Sequence, residues 1–442
     1  MNFCISECGI KTVVTSRAFM EKRPFEPDDA KLVYLEDLAQ QVSFFDKLVG
    51  GYQAKFCSPE KLDRIHDLNS IQPDDLLTII FTSGSTGNPK GVKLSNRNVS
   101  SNIGAVNELF HITEKDVILG VLPFFHSFGY TGTLWLTMSL EASSVYHFNP
   151  LDSRTVGTLS DEHDVSIILA TPTFLRSYMR RCTPEQMHHL DLVIVGAEKL
   201  PKDLAEQFKE KFGVEPTEGY GTTELSPVAS MNVPDHRASE GADPGTRLGT
   251  VGKVAPGSEI KVVDPDSRAD LGLDTEGLLV YRGPNVMMGY LNNEEATAEK
   301  IRDGWYDTGD MGVIDEEGFI TITGRMSRFS KIGGEMVPHI KIEQELERLI
   351  EGEDEDPMIQ VAVTAVPDAR KGERLIVLHR SLGDKTGRRP AAKSLGPRSA
   401  QHLDPQFRQF PGGGRDPVAL GTGKMDLKAV QQVATDNFTE GE

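Results

Sequence analysis

Basic residues are scarce. The 47 Lys and Arg stand against 66 Asp and Glu, a formal net charge of −19. That deficit excludes a nucleic-acid groove as the main business of the chain, because following a phosphate backbone takes a surplus of positive charge. It leaves room for a local pocket in which backbone N–H groups hold a phosphate. Cysteine is sparse too, with Cys4, Cys8, Cys57 and Cys182 scattered through 442 residues. Such spacing gives no disulfide framework and fits a reduced, cytosolic setting. Cys4 and Cys8 have helical i, i+4 spacing, but no second pair or nearby His completes a zinc set, so they read as small packing residues. Long apolar runs are lacking as well. Residues 1–9 do not have the basic, apolar, small-residue order of a signal peptide. Val117–Leu140 contains no Asp, Glu, Lys or Arg, yet Pro123, His126, Ser127, Gly129 and Gly132 interrupt it. It reads as the wall of a pocket rather than a membrane span.

What is present is a soluble, globular composition, 38% apolar and 26% charged, over a length that predicts two or three domains. The chain is organised around residues 80–98. An apolar run, Leu76–Phe81, empties into Thr82, Ser83, Gly84, Ser85, Thr86 and Gly87, then Lys90. Glycines let a backbone curl with its N–H groups inward, and hydroxyls add uncharged donors, which together suit a polyphosphate. Lys90 supplies a point charge above it. A Walker A loop ends in Gly-Lys-Ser/Thr, whereas Lys90 follows Pro89 and precedes Gly91, so that alternative fails.

The first seventy residues read as α/β, with strands at Ile10–Ser16 and Leu32–Leu35 and helices or connectors at Ala39–Lys47 and Pro59–Asp67. Asn98–Phe110 reads as a helix. Asp116–Leu122, Val165–Ala170 and Leu190–Gly196 read as buried parallel strands, and Lys202–Phe212 as a helix. Strands alternating with helices predict a mostly parallel sheet covered on both faces, whose ligands sit beyond the carboxyl ends of the strands. Phe81–Lys90, Phe124–His126, Thr171–Phe174, Gly196–Glu198 and Glu218–Glu224 are all expected on that rim. From Gly249 shorter alternating segments with Gly and Pro turns predict a small β-rich subdomain. Pro338–Ile350 then reads as a helix, and Ile359–Val366 and Glu373–His379 as strands. The expected fold is therefore α/β, with a large domain of mostly parallel sheets covered by helices plus a small β-rich subdomain. A small mobile α+β C-terminal domain follows, with the boundary giving residues 1–327 and 328–442.

The loop at 82–90 shares the chain with Glu218-Gly-Tyr-Gly-Thr-Thr-Glu224, Tyr306-Asp-Thr-Gly-Asp310, Gly324-Arg325 and Gly421-Thr-Gly-Lys424. In this order the motifs resemble the adenylate-forming (AMP-binding) superfamily of acyl-CoA and acyl-carrier-protein synthetases, luciferases and adenylation domains. The resemblance implies ATP, Mg²⁺ and a thiol co-substrate, CoA or acyl-carrier-protein pantetheine. It assigns residues 82–90 to the β- and γ-phosphates, and Tyr220, beside Gly219, to adenine, with Gly196, Ala197 and Glu198 along its edge. Thr223 is implied at the α-phosphate, Glu224 as the Mg²⁺ ligand, and Asp310 with Arg325 at the ribose. His126 is implied at the mouth of the acyl pocket, Lys424 at the reacting phosphate and Arg328 at a hinge. Members of the family more often carry an acidic residue or lysine at that hinge. Carboxylate and ATP repel each other, so catalysis is chiefly positioning and neutralising of negative oxygens.

Val195–Pro201, Gly324–Pro338 and Gly421–Asp426 resemble one branch more closely, the ligase part of bifunctional 2-acylglycerophosphoethanolamine acyltransferase/acyl-[acyl-carrier-protein] synthetases. That branch implies a fatty acid substrate, a carrier-protein partner and an accompanying acyltransferase domain or partner. It also implies a cytoplasmic location with room for peripheral contact at the inner face of a membrane. The competing expectations are a non-catalytic ATP- or AMP-binding remnant and an activator of aryl or other carboxylic acids.

Two further absences bear on this. The family carries another α/β unit before the part matching Asn2–Arg17, so the expectation is that the chain is a C-terminal portion of a longer protein or has a misassigned start. Between Val377 and Val418 there is no Val or Ile, while Arg, Pro and Gly crowd in. The expectation there is a pair of compensating frameshifts that scrambles residues 387–416 before Lys424.

Overall fold

A computed structural model describes residues 1–82, 89–243, 245–332, 335–340, 342, 343, 346, 361–368, 372–379, 406–409 and 427–438. Its centre is a seven-stranded sheet. Val117–Gly120, Ser143–Tyr146, Ile167–Ala170, Leu192–Val195 and Thr217–Gly221 pair in parallel. Val228–Met231 and Lys253–Val254 then add antiparallel edges.

Every residue of Ile167–Ala170 and Leu192–Val195 is buried. Successive side chains in a strand point to opposite faces. Ile167, Leu169, Leu192 and Ile194 accordingly join one core with Val99, Ile103 and Val106 of the helix Asn96–Leu109. Ile168, Ala170, Val193 and Val195 join a second core with Leu175 and Tyr178 of Pro172–Arg181 and Leu204 and Phe208 of Lys202–Phe212. The parallel, doubly covered sheet is thus the one expected from the apolar runs.

Helix boundaries follow capping chemistry. Ser95 accepts from the Asn98 N–H and Asn98 returns the bond to Ser95, so Asn96–Leu109 begins two residues before the expected Asn98. Thr171 caps Pro172–Arg181, and Gly213 at φ +81° ends Lys202–Phe212.

One expectation is corrected. Phe81, Thr82 and Lys90 do not lie at the end of a parallel strand. Leu76–Thr82 turns back as Lys90–Ser95, and Gly289–Tyr290 completes a separate three-stranded antiparallel sheet. The sequence pattern does not reveal the second strand because Lys90–Ser95 follows a Gly-rich stretch and is only six residues long. The β-rich subdomain is present: Glu259–Val263, Gly277–Arg282, Ile301–Arg302, Trp305–Ile314 and Ile320–Arg325 form one antiparallel sheet.

The turn Met326–Arg328 leads to a further sheet of Phe329–Ile332, Glu335–Pro338, Gly372–His379, Val361–Asp368 and Gln406–Gln409. Leu427–Phe438 is a helix whose Val430 and Ala434 pack on Ala362 and Ile376 of that sheet. Most of the segment expected to be scrambled, residues 387–416, lies outside the described residues, as does much of the expected helix Pro338–Ile350. No helix among the described residues is long and apolar enough to cross a membrane.

Candidate functional site

Loops leave the carboxyl ends of adjacent parallel strands at Thr171, Gly196 and Thr222, so strand order alone brings them side by side. The Thr173 hydroxyl donates to Glu198 Oε2 at 2.9 Å, tying the first two. A Cβ on Gly196 would lie 3.2 Å from the Phe128 ring and 3.7 Å from the Gly219 carbonyl. Glycine therefore lets this wall close on the strand that carries Tyr220. Ala197 follows with φ +69°. Behind them Glu218 is buried and accepts the Leu200 N–H at 3.2 Å. Burial pushes its carboxyl up to about 7, against the pull of that hydrogen bond and of Lys199.

The β-rich sheet supplies the facing group. Asp310 and Arg325 are direct partners across Trp305–Ile314 and Ile320–Arg325, so the register sets both side chains on one face. Arg325 Nε donates to Asp310 Oδ1 at 2.9 Å, and the Tyr220 hydroxyl donates to Oδ2 at 2.5 Å. Asp310 is 2% exposed. Burial raises its carboxyl, while Arg325 and Tyr220 pull it down. Burial and the Asp310 charge hold the Tyr220 phenol protonated, and Asp310 strengthens the Arg325 cation. A carboxylate has about four lone-pair positions, so two bonds leave Asp310 able to accept from hydroxyls. Asp307, in the same motif, turns away to Arg268 at 2.6 Å and to the Gly309 N–H at 2.8 Å.

Thr223 and Glu224 follow Tyr220 on the short turn Thr223–Leu225. The Thr223 hydroxyl lies 3.2 Å from Ser127 Oγ, which joins the turn to the loop carrying His126. His126 is exposed, and its Nδ1 accepts the Phe128 N–H at 3.2 Å. A neutral imidazole in this arrangement carries its proton on Nε2. The Tyr290 hydroxyl donates to Glu224 Oε1 at 2.8 Å, and Lys90 Nζ lies 5.0 Å from the Tyr290 ring centre. Tyr290 therefore joins the hairpin of Leu76–Thr82 and Lys90–Ser95 to the glutamate. Sequence reasoning missed it, although Gly289-Tyr290 sits in an otherwise apolar run. Burial, then the Glu224 charge, hold the Tyr290 phenol protonated.

The structure thus brings together Gly196, Ala197, Glu198, Gly219, Tyr220, Thr223, Glu224, Asp310 and Arg325, with His126 and Lys90 at their margin. Thr82 ends its strand with its hydroxyl 3.5 Å from the Lys90 carbonyl. Ser83, Gly84, Ser85, Thr86, Gly87 and Lys424 lie outside the described residues. Arg328 is buried and paired with Glu343, whose Oε1 also accepts the Val363 N–H at 2.6 Å.

The donor set suits a nucleotide with a hard cation. Glu224 keeps lone pairs beyond the one Tyr290 uses, and no group of three or more His, Cys, Asp and Glu assembles among the described residues. A Mg²⁺ ion here would rest on Glu224 and on phosphate oxygens, its usual mixture of ligands.

Comparison with known proteins agrees in kind. The family described as AMP-binding enzyme matches residues 1–291. The chain is 31% identical to 4-coumarate–CoA ligase 3 of Oryza sativa subsp. japonica over 76% of its own length and 59% of that protein. It is 27% identical to a long-chain-fatty-acid–CoA ligase of Bacillus subtilis (strain 168) over 74% and 57%. It therefore spans a little over half the length of these curated relatives. Among solved structures, ATP-bound MatB from Rhodopseudomonas palustris superposes with a TM-score of 0.75 at 24% identity, over 99% of this chain and 82% of that one. O-succinylbenzoate coenzyme A synthetase from Bacillus subtilis, in complex with ATP and magnesium, gives 0.72 at 23%, over 97% and 81%. These two likenesses speak to the fold.

Proposed function

The chain belongs to the AMP-binding enzyme family, and we propose that it joins a fatty acid to a pantetheine thiol through an acyl-adenylate. The observation that carries this reading is the knot at Asp310. One buried carboxylate holds a tyrosine 90 residues away in sequence and an arginine across the sheet, on the rim that also bears Glu224. A structural pair does not need three motif residues from two sheets, whereas an adenosine monophosphate offers a ring for Tyr220 and ribose hydroxyls for Asp310 and Arg325.

A carboxylate oxygen of the acid attacks the α-phosphorus, and the bond to pyrophosphate breaks. The thiol sulfur then attacks the acyl carbon, and AMP leaves with the former carboxylate oxygen. Mg²⁺ held by Glu224 would offset charge on the phosphates. Thr223 and Lys90 bind phosphate oxygens, and His126 steers the incoming acid. Lys424 meets the charge that develops at the α-phosphate. Residues 328–442 act as a lid that turns at Arg328, whose guanidinium pairs with Glu343 of that lid. Phe124-Phe125-His126-Ser127-Phe128 offers no carboxylate for an amino group, which disfavours amino acids. The relatives are named for both aryl and fatty acids. The narrower reading, carrier-protein pantetheine in a bifunctional synthetase, rests on Val195–Pro201, Gly324–Pro338 and Gly421–Asp426 alone.

Pyrophosphate release measured over fatty and aryl acids tests the proposal. Fatty acids should release pyrophosphate, and CoA or acyl carrier protein should then yield a thioester. Lys424→Ala should slow the first step roughly 10²–10³-fold, as loss of one preorganised donor does. ATP binding without pyrophosphate from any acid would leave a binding remnant. Release with aryl acids alone would move the substrate class.

A further inference from the structure

Glu224 is held at both ends by one short segment of chain, residues 287–291. The Met287 N–H donates to the Glu224 carbonyl at 2.8 Å, and the Tyr290 hydroxyl donates to carboxylate Oε1 at 2.8 Å. The same segment is fastened to the hairpin that carries Lys90. Gly289 pairs with Lys93 and Tyr290 with Val92. The Met288 N–H donates to the Lys93 carbonyl at 3.0 Å, and the Leu291 N–H donates to the Gly91 carbonyl at 2.7 Å. Residues 287–291 therefore form a strut between that hairpin and the acidic side chain.

The phenol end of the strut is fixed independently of Glu224. Tyr290 is 5% exposed, and its ring lies in the core that includes Val92 and Leu94. Its N–H donates to Thr297 Oγ1 at 2.9 Å. Gly289 sits at φ +132°, and a Cβ there would lie 2.8 Å from Thr297 Cγ2, so glycine lets the backbone pass this close. Upstream, Asn98 Nδ2 donates to the Pro284 and Val286 carbonyls, both at 2.8 Å. Glu224 is the loose partner. It is half-buried on the three-residue turn Thr223–Leu225, and among the described residues Tyr290 is the one hydrogen-bond donor to its carboxylate.

A buried phenol needs an acceptor, and a backbone carbonyl would serve that need as well. Directed at one oxygen of a flexible carboxylate, the same bond fixes the plane of the group and leaves Oε2 for a cation. We propose that Tyr290 is a positioning residue whose hydroxyl holds Glu224 in the orientation that receives the divalent cation of a bound nucleotide. The proposal rests on the reading of Glu224 as the Mg²⁺ ligand. Hydrogen-bond partners of a metal ligand typically contribute roughly 10–100-fold to metal affinity. Tyr290 acts only through Glu224. Its loss should therefore be felt by a nucleotide that brings a cation and not by AMP, which the proposed site holds through Tyr220, Asp310 and Arg325.

Calorimetric binding of α,β-methylene-ATP, whose α–β bridge cannot be cleaved, tests this on the full chain. Titrations are run with Mg²⁺ and with EDTA, and with AMP alongside. In the wild type Mg²⁺ should tighten binding of the analogue. Tyr290→Phe should lose roughly tenfold or more of that gain while binding AMP as the wild type does. Glu224→Gln should lose the gain as well. The double variant should lose no more than Glu224→Gln alone, since the two side chains act as one. Thermal melts should show both single variants folded, because phenylalanine keeps the packed ring. If Tyr290→Phe keeps the gain that Glu224→Gln loses, the positioning role is overturned and the reading of Glu224 stands. If Glu224→Gln keeps it too, or the wild type shows no gain, that reading falls and takes the proposal with it. Equal losses for AMP and for the magnesium complex in Tyr290→Phe would make the tyrosine a purely structural residue, which also overturns the proposal.

Discussion

Arg17 and Arg237 each reach two acidic side chains, and their surroundings could hardly differ more. Arg17 bonds Asp37 at 2.9 Å with half of its side chain in solvent. Arg237 bonds Asp116 at 2.7 Å and Asp191 at 2.5 Å with 9% of its side chain exposed. The contrast extends to the regions they belong to. In residues 1–75 the helices Arg17–Lys22, Leu35–Gln41, Phe44–Phe56 and Pro59–Ile65 bury nothing, and Ile5 alone is buried. In residues 76–325 whole strands vanish into the two cores. Both regions have caps, turns and amphipathic spacing. What separates them is a sheet with a helix on each face, which only long-range pairing provides.

Arg237 offers the largest test of that difference. It clamps the amino ends of two parallel strands, since Asp116 precedes Val117–Gly120 and Asp191 precedes Leu192–Val195. Ser166, before the strand between them, donates to Asp116 at 2.8 Å. Arg237→Met removes the cation and leaves Asp116 buried with no opposite charge, which should cost about 3–5 kcal/mol. Chemical denaturation of the variant checks this. A loss below about 1 kcal/mol would mean that water reaches the clamp.

The same contrast explains what the sequence disclosed. Val165–Ala170 and Leu190–Gly196 announced buried strands because each holds an unbroken apolar stretch with β-branched residues, Ile167–Ala170 and Leu192–Val195, and the rim loops followed from where those stretches stop. Asp310 and Arg325 were legible only as motif members. Their bond depends on a register across Trp305–Ile314 and Ile320–Arg325 that no local spacing encodes. Tyr290 was invisible for the same reason, since its partner Glu224 lies 66 residues away. Lys90 was expected at the end of a parallel strand and lies on an antiparallel hairpin instead, because a six-residue strand beside glycines carries too little pattern to distinguish a hairpin from a crossover. In residues 1–75 the pattern foretold helices and strands, with the boundaries of Ala39–Lys47 divided between Leu35–Gln41 and Phe44–Phe56 by the Ser43 cap. It could not foretell that Ile5 alone among them would be buried within this chain.

Acid groups sharpen the comparison further, because hydrogen bonding and burial shift them in opposite directions. Hydrogen bonds from Ser43 hold the exposed Asp46 below the usual carboxylate range. Burial pushes Glu218 up to about 7 from 4.5. Below pH 4.5 Glu218 is protonated whether the chain is folded or not. Between there and about 7 the folded chain keeps a proton that the unfolded chain loses, so stability falls as the pH rises through this window. The loss is on the order of 3 kcal/mol by pH 8. Glu218→Gln should flatten that part of the profile, read as melts at pH 5 and pH 8. An unchanged slope would place the titration elsewhere.

Arg17 gives the smallest effect. Its pair with Asp37 is exposed on both sides, and exposed pairs contribute about 0.2–1 kcal/mol. The guanidinium also stacks 4.6 Å from the Tyr34 ring centre, a contact worth a similar amount at an exposed site. Arg17→Met should therefore lower stability by less than about 2 kcal/mol, and raised salt should shrink even that, because exposed charges are screened within about a Debye length of 8–10 Å. The buried Arg237 clamp should respond far less to salt. If Arg17→Met instead cost as much as Arg237→Met, residues 1–75 would have to be buried in solution. A covering surface absent from this chain would then have to extend over Arg17, and adding it should restore the contrast in salt response.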